Sequence, residues 1–320
     1  MTLPLILDVD TGIDDALAIM FAVRYEGFDL RAVSCVSGNV DVDQVARNTL
    51  GILDLVDAPD IPVAAGADRP LIEPRRDASW VHGATGLGGL DLPPSRRGVD
   101  PRKSVELIRD TVMASPEPVT LLALAPLTNV ALFLRAYPEA AARLDRIVFM
   151  GGSASGGNAT AAAEFNVWHD PEAAHVVINS GVPLVMYGLD VFDEVRVPAD
   201  RIAEMRASTS PVVRAAGVLI GHQNVDPATG ETFAMEIIGD AGAACAIAYP
   251  DLFIFENRPM QVALGAGIAR GQTVVDRRGH LGEEFAHNPS ISPWPRVEIA
   301  VETRPDEVVR RYVDVIASGA

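Results

Sequence analysis

The sequence is poor in cysteine, in lysine and in aromatic rings. Its two cysteines, Cys35 and Cys245, both lie inside apolar segments. No disulfide is expected, and buried free thiols fit a reducing, cytoplasmic location. Lysine occurs once, at Lys103, and every other cation is arginine. Cations are outnumbered, 26 against 43 acidic residues, leaving a net charge of −17. Such a surface repels phosphate backbones and anionic lipid, so neither nucleic acid nor membrane is expected as a partner. No window approaches the ~18 uncharged apolar residues of a membrane span. The opening "MTLPLILDVD" lacks a basic region and a cleavage site, and reads as a strand rather than a leader. Missing too are a Ser/Gly linker, a low-complexity tract and a repeat of fixed period. With 48% apolar residues, one large domain over residues 1–320 is the simplest expectation.

What is present is an alternation of short apolar runs and helical patterns. "PLILDV" (4–9) predicts a strand and "DDALAIMFAVRY" (14–25) a helix. "LRAVSCVSG" (30–38) predicts a second strand, followed by a helix over 42–56, where Val42, Val45, Ala46, Leu50 and Leu53 recur at helical spacing. Further strands are expected at 61–66, 119–124, 146–152, 183–191, 261–266 and 296–302. Further helices are expected at 103–115, 126–144 with a break near Pro138, 171–181, 199–221, 237–249 and 306–319. Residues 66–100 and the polar stretch 222–232 read as loops. This alternation predicts an α/β fold, Rossmann-like, with a mainly parallel central sheet and helices on both faces. Ligands of such folds bind beyond the carboxyl ends of the strands. The turns to search are therefore "DVDTGIDD", "SGNVD", "LAPLTN" and "MGGSASGGN".

The first of these turns carries Asp8, Asp10, Asp14 and Asp15. One or two of them can be ordinary helix-start acids. Three in six residues repel one another and resist joint ionisation. A bound cation removes that conflict, and all-oxygen ligands favour Ca²⁺ or Mg²⁺. The stretch is no EF-hand, because the acid at the twelfth loop position is missing. A phosphohydrolase of the haloacid-dehalogenase type is also disfavoured. Gly12 stands where its loop needs Thr or Val, and the later "GDAGAA" (239–244) lacks a second acid.

From residue 5 to about 315 the chain resembles the nucleoside hydrolases, the inosine–uridine-preferring N-ribohydrolases. The resemblance rests on "DVDTGIDDALAI", then in order "VSGN" (36–39), "HGATGLGG" (82–89), "APLTN" (125–129), "MGG" (150–152) and "AEFNVWHDPEAA" (163–174). It implies hydrolysis of ribonucleosides to ribose and free base, and a place in purine and pyrimidine salvage. It also implies one Ca²⁺ held by Asp10, Asp15, Asp240 and the carbonyl of Leu124. Asp10 then serves as general base toward a metal-activated water, Asp14 receives the 2′-hydroxyl, and Asn39 lies near the anomeric carbon. Asn158, Glu164 and Asn166 form the ribose clamp, with Asp240 beside it. His82, Trp80, Phe165 and the loop residue His222 are expected at the base. A homodimer or homotetramer is implied as well.

The chain departs from this pattern at one place. Where many members carry a His-Asp pair that binds metal and protonates the leaving base, this sequence has Gly239-Asp240. A general acid contributes roughly 10²–10⁴-fold. Either another group activates the base, or the protein is a nucleoside- or ribose-binding member with weak or altered turnover. On this reasoning Gly239→His could restore an acid. Asp8 reads as structural, bonded to neighbouring backbone, and His169 as a structural hydrogen-bonder.

Overall fold

The computed structural model describes residues 2–226, 229–280, 282–288 and 293–318. Eleven strands lie within them: β1 (Leu3–Val9), β2 (Phe28–Cys35), β3 (Val63–Ala65), β4 (Val119–Ala123), β5 (Leu144–Met150), β6 (Leu184–Tyr187), β7 (Asn224–Val225), β8 (Thr232–Phe233), β9 (Phe253–Val262), β10 (Thr273–Val275) and β11 (Arg296–Thr303). Nine of them form one sheet, in the order β10-β9-β11-β6-β5-β4-β1-β2-β3. The run from β3 to β11 is parallel, and β9 and β10 add an antiparallel edge. β7 and β8 form a separate antiparallel hairpin.

The central strands are apolar on both faces because helices cover both. Along β1, Leu5, Leu7 and Val9 enter one hydrophobic layer and Ile6 the other. The first layer holds helix Ile13–Arg24 against helices Ala241–Ala248 and Pro305–Ala317. Phe21 stacks there on Tyr25 and Tyr312. The second layer packs helices Ser104–Ala114, Thr128–Ala136 and Pro171–Ile178 on the opposite face.

Several expected elements differ in detail. The single helix expected over 199–221 is two, Ala199–Arg206 and Pro211–Ile220, because Pro211 lacks an N–H and keeps Ser210 extended. The helix expected from residue 237 starts at Ala241, since Gly239 sits at φ +54° and breaks the turn before it. The strand expected over 183–191 stops at Tyr187, and Leu189–Phe192 form a helical turn. The polar loop 222–232 contains β7 and the first residue of β8, while its positions 227–228 lie outside the described residues, as does Gly319, the last residue of the helix expected over 306–319. β9 is ten residues long, although only its last two fell in the strand expected at 261–266. β10 pairs only with Met260–Val262, and the stretch it leaves unpaired tolerates Glu256, Asn257 and Arg258, which hid the strand's pattern. One helical turn, Ser79–His82, interrupts the loop 66–100.

From β1 the chain steps outward through β2 and β3, then returns to the other side of β1 at β4. This reversal opens a crevice between the carboxyl ends of β1 and β4, the place where such sheets bind ligands.

Candidate active site

A cavity of about 460 Å³ lies at this crevice. Its walls come from the ends of β1, β4 and β5, the segment 158–168, the loop 76–82 and the hairpin. A larger, open depression of about 560 Å³ sits at the amino ends of β5 and β6, with Arg135 and His175 as its ionisable lining residues. It offers no carboxylate and no convergence of polar groups.

At the β1 end the turn is built around Asp15. Gly12 has no side chain to cap helix Ile13–Arg24, so the Asp15 carboxylate accepts the Gly12 N–H at 2.9 Å and the Asp10 N–H at 3.1 Å. Asp10 is gripped from the β2 side. Its Oδ2 accepts the Asn39 N–H at 2.7 Å and its Oδ1 the Asn39 Nδ2 at 3.1 Å. A Cβ on Gly38 would collide with Asp10 Oδ2, so this approach requires glycine. Burial, then the charge of Asp15, pushes Asp10 well above the usual carboxylate range, against the pull of the Asn39 backbone bond. Burial and Asp14 push Asp15 up to about 7. Asp240, leading into helix Ala241–Ala248, is raised by burial and then by Asp14, Asp15 and Asp10. Oxygens of Asp14, Asp15 and Asp240 lie within 4.8 Å of one another, a grouping able to hold a metal ion. Asp14 Oδ1 is buried with no hydrogen bond.

The segment after β5 supplies a second set. Glu164 caps helix Phe165–His169, its oxygens accepting the N–H groups of Gly152, Asn166 and Val167 at 2.8–3.1 Å. Burial raises it to about 7 despite these bonds. Asn166 donates its amide hydrogens to the carbonyls of Leu124 and Met150, at 3.0 and 3.2 Å. Asn158 accepts the Phe165 N–H at 2.9 Å and stands at the cavity rim.

The opposite wall continues from Asn39, whose carbonyl accepts the Ala78 N–H at 3.1 Å. Trp80 is 55% exposed, and its ring lies 6.5 Å from Phe233 of β8. His82 accepts the Ile13 N–H at Nδ1, 3.1 Å away. Burial lowers its pKa, and Asp14 opposes that shift. Phe165 and Trp168 line the neighbouring wall, 6.3 Å apart, with the Arg76 guanidinium 4.1 Å over the Trp168 ring.

Three expectations need correction. His222 does not line this cavity. It stands behind His82 against Gly88, facing a small void with Asn224 and Ile237, because the hairpin turns Phe233 and Met235 toward the site instead. His169 is no hydrogen-bonder: it is fully buried beside Phe165, neither ring nitrogen has a partner, and burial with Arg76 and Arg75 holds its pKa down to about 4. Asp8 bonds side chains rather than backbone, Ser34 Oγ at 2.5 Å and Asn129 Nδ2 at 2.9 Å. Gly239 is also more than a missing acid. Its φ is +54°, and a Cβ would collide with Asp14 Cβ and come within 2.8 Å of Asp14 Oδ2. The carboxylate of Asp14 occupies the room a side chain would need.

Sequence reasoning missed Arg76, Asp77, Trp168, Phe192, Phe233 and Met235, all of which line the cavity. Trp168 carried a signal, lying one helical turn after Phe165. Phe192 ends the short helical turn Leu189–Phe192, and the others come from loop and hairpin; none of these has the periodicity that marks an inward side chain.

A family model described as inosine-uridine preferring nucleoside hydrolase matches residues 5–310. A non-specific ribonucleoside hydrolase from Klebsiella pneumoniae subsp. pneumoniae is 40% identical over 283 residues, 88% of this chain and 91% of that protein. One from Salmonella agona is 39% identical over 282 residues, 88% and 90% of the two chains. Among solved structures, a plant nucleoside hydrolase aligns with a TM-score of 0.89 at 26% identity, covering 99% of this chain and 100% of that one. An inosine-guanosine nucleoside hydrolase aligns with a TM-score of 0.87 at 28% identity over 100% of both.

Proposed function

The chain belongs to the inosine-uridine preferring nucleoside hydrolase family, and from that premise we propose that it hydrolyses the N-glycosidic bond of ribonucleosides with Ca²⁺ bound. The products are ribose and a free purine or pyrimidine base. The observation that carries this reading is the convergence of Asp14, Asp15 and Asp240 beside the Asn39-held Asp10, at the switch between β1 and β4.

The residues fit a hard divalent cation. The carboxylates are crowded and hard to ionise together, Asp14 Oδ1 is orphaned, and every donor is oxygen. Asp10, Asp15, Asp240 and the Leu124 carbonyl would hold the ion, the carbonyl keeping one lone pair beyond its Asn166 bond. When bound, such an ion acidifies water and gives hydroxyl oxygens a fixed anchor.

The protein's own groups do the rest. Cleavage of the C1′–N bond builds positive charge on the sugar ring. Carboxylates of Asp10, Asp14, Glu164 and Asp240 face that end and stabilise the charge. Asp10, with both oxygens oriented by Asn39, takes the proton of the attacking water. Asp14 accepts the 2′-hydroxyl. Asn166 meets the 2′ and 3′ groups through Oδ1, since its amide hydrogens are committed. Asn158 and Glu164 take the 5′ end. Trp80 and Phe165 pack on the base and ease its protonation.

A second reading, a ribose-binding member with weak turnover, is favoured by the bare Gly239. Ribose release from inosine, uridine and adenosine, measured beside calorimetric ribose binding, separates the two. Binding without release from any substrate contradicts the hydrolase reading.

A further inference from the structure

β10 is the outermost strand of the sheet and lines no part of the cavity. Its first residue, Thr273, is nevertheless buried, and its hydroxyl is spent on one residue of the loop after β5. Oγ1 accepts the Ser153 N–H at 2.8 Å and donates to the Ser153 carbonyl at 2.6 Å. A hydroxyl carries one hydrogen and two lone pairs, so it can do both at once. Both backbone groups of buried Ser153 are thereby satisfied by a side chain 120 residues further along the chain.

These bonds matter because of the residue before Ser153. Gly152 donates its N–H to Glu164 Oε2 at 2.9 Å, while its carbonyl accepts the Leu189 N–H at 3.0 Å. The other two N–H groups on Glu164, from Asn166 and Val167, belong to the helix that Glu164 itself caps. The Gly152 bond is therefore the one that ties the Glu164 carboxylate to the end of β5. Thr273 packs against this point so closely that a Cβ on Gly152 would meet Thr273 Cγ2 at 2.7 Å. The loop is pinned again just beyond. Asp190, in the helical turn Leu189–Phe192, accepts the Ala154 N–H at 2.7 Å and the Ser155 Oγ–H at 2.8 Å. Three consecutive residues, 153–155, are thus held from outside the loop, and the N–H that reaches Glu164 comes immediately before them.

We propose that Thr273, with Asp190, positions the group that recognises the ribose 5′-hydroxyl: it locks Ser153 and, through the Gly152 N–H, sets where the Glu164 carboxylate stands. The proposal rests on the hydrolase reading, in which Glu164 and Asn158 take the 5′ end. Neither Thr273 nor Asp190 takes part in cleavage at C1′. They act through the loop, so their loss should be felt only by a substrate that has a 5′-hydroxyl to offer.

The test measures base release, kcat and KM with the Ca²⁺-loaded protein for inosine and 5′-deoxyinosine, and for uridine and 5′-deoxyuridine. The proteins compared are wild type, Thr273→Val, Thr273→Ser and Asp190→Ala. Wild type should cleave each parent nucleoside with kcat/KM roughly tenfold or more above that of its 5′-deoxy partner, as expected of a hydrogen bond to a charged group. Thr273→Val keeps the side chain's shape and removes both bonds to Ser153. It should cut that ratio roughly threefold or more by slowing the parent, with the 5′-deoxy substrate held within about twofold of wild type. Thr273→Ser keeps the hydroxyl and should restore the wild-type ratio, and Asp190→Ala should lower the ratio in the same direction as Thr273→Val. A general loss of folded protein slows both substrates alike and leaves the ratio unmoved. An unchanged ratio in folded Thr273→Val, or a ratio that Thr273→Ser does not restore, overturns the positioning role; if Thr273→Val does not fold, the ratio in Asp190→Ala decides by the same criterion. Wild type that does not distinguish parent from 5′-deoxy nucleoside overturns this inference and leaves the hydrolase reading standing. Release from none of the four overturns the hydrolase reading and this inference together.

Discussion

On the proposed reading one cavity has a sugar end and a base end, and the two are built by different means. At the sugar end, functional side chains sit on segments that follow buried strands, and backbone N–H groups fix three of the carboxylates. Asp15 is tied to Asp10 and Gly12, Asp10 to Asn39, and Glu164 to three amides. At the base end, side chains hang from a long loop and a two-residue-strand hairpin, with Trp80 half in solvent. The first arrangement fixes one geometry for one sugar. The second can change its walls without disturbing the sheet. Chemistry common to all substrates belongs on the rigid part, and discrimination between bases on the adaptable part.

The sharpest break of this contrast is Asp10→Ala. If Asp10 is the proposed base toward water, its loss should lower kcat by roughly 10²–10⁴-fold, about 3–5.5 kcal/mol of barrier. Circular dichroism and steady-state kinetics on the same sample check it; a loss below tenfold in a folded variant removes Asp10 from the chemistry. Gly239→His comes next. The left-handed backbone costs a non-glycine residue about 1–2 kcal/mol, and the collision with Asp14 adds to it. Thermal unfolding should show a clear fall in Tm and kinetics no gain in turnover, whereas a faster, equally stable variant would show that the site adapts.

A third expectation concerns pH without metal. Asp15 and Glu164 have folded pKa values raised to about 7. Each favours the folded state while protonated, and that stability is lost as pH rises through about 7. The chelated protein should therefore melt at a lower temperature at pH 8 than at pH 5.5. Saturating Ca²⁺ should remove most of the difference, since about 2.7 kcal/mol is gained at a hundred times Kd. A chelated Tm that rises over this range contradicts the charge-crowded site. The smallest effect belongs to the base end. Trp80→Ala removes one stacking partner worth about 0.5–1.5 kcal/mol, so KM should rise roughly 2–10-fold with Tm unchanged. A large fall in Tm would mean that Trp80 supports the fold.

The same contrast governs what the sequence reveals. Asp10, Asp14 and Asp15 were legible because one strand end and one helix start place them in fixed local spacing. The parallel sheet was legible from apolar runs buried on both faces. β9 escaped because its stretch beyond the short pairing with β10, with Glu256, Asn257 and Arg258, shows no alternation. Asp240 stood out only through resemblance, being far from its partners along the chain. Arg76, Asp77, Phe233 and Met235 reach the cavity through loop and hairpin geometry that tertiary packing decides. His222 failed for the same reason: a polar loop says nothing about which side chain turns inward.

The central claim is that a cation held by Asp10, Asp15, Asp240 and the Leu124 carbonyl makes this protein a ribonucleoside hydrolase. Its most direct test is the rate of ribose release from a panel of ribonucleosides, before chelation, after exhaustive chelation and after Ca²⁺ is returned. The account predicts release with equimolar free base, loss on chelation and recovery with Ca²⁺ in wild type but not in Asp10→Ala. Release that persists undiminished through chelation would contradict it.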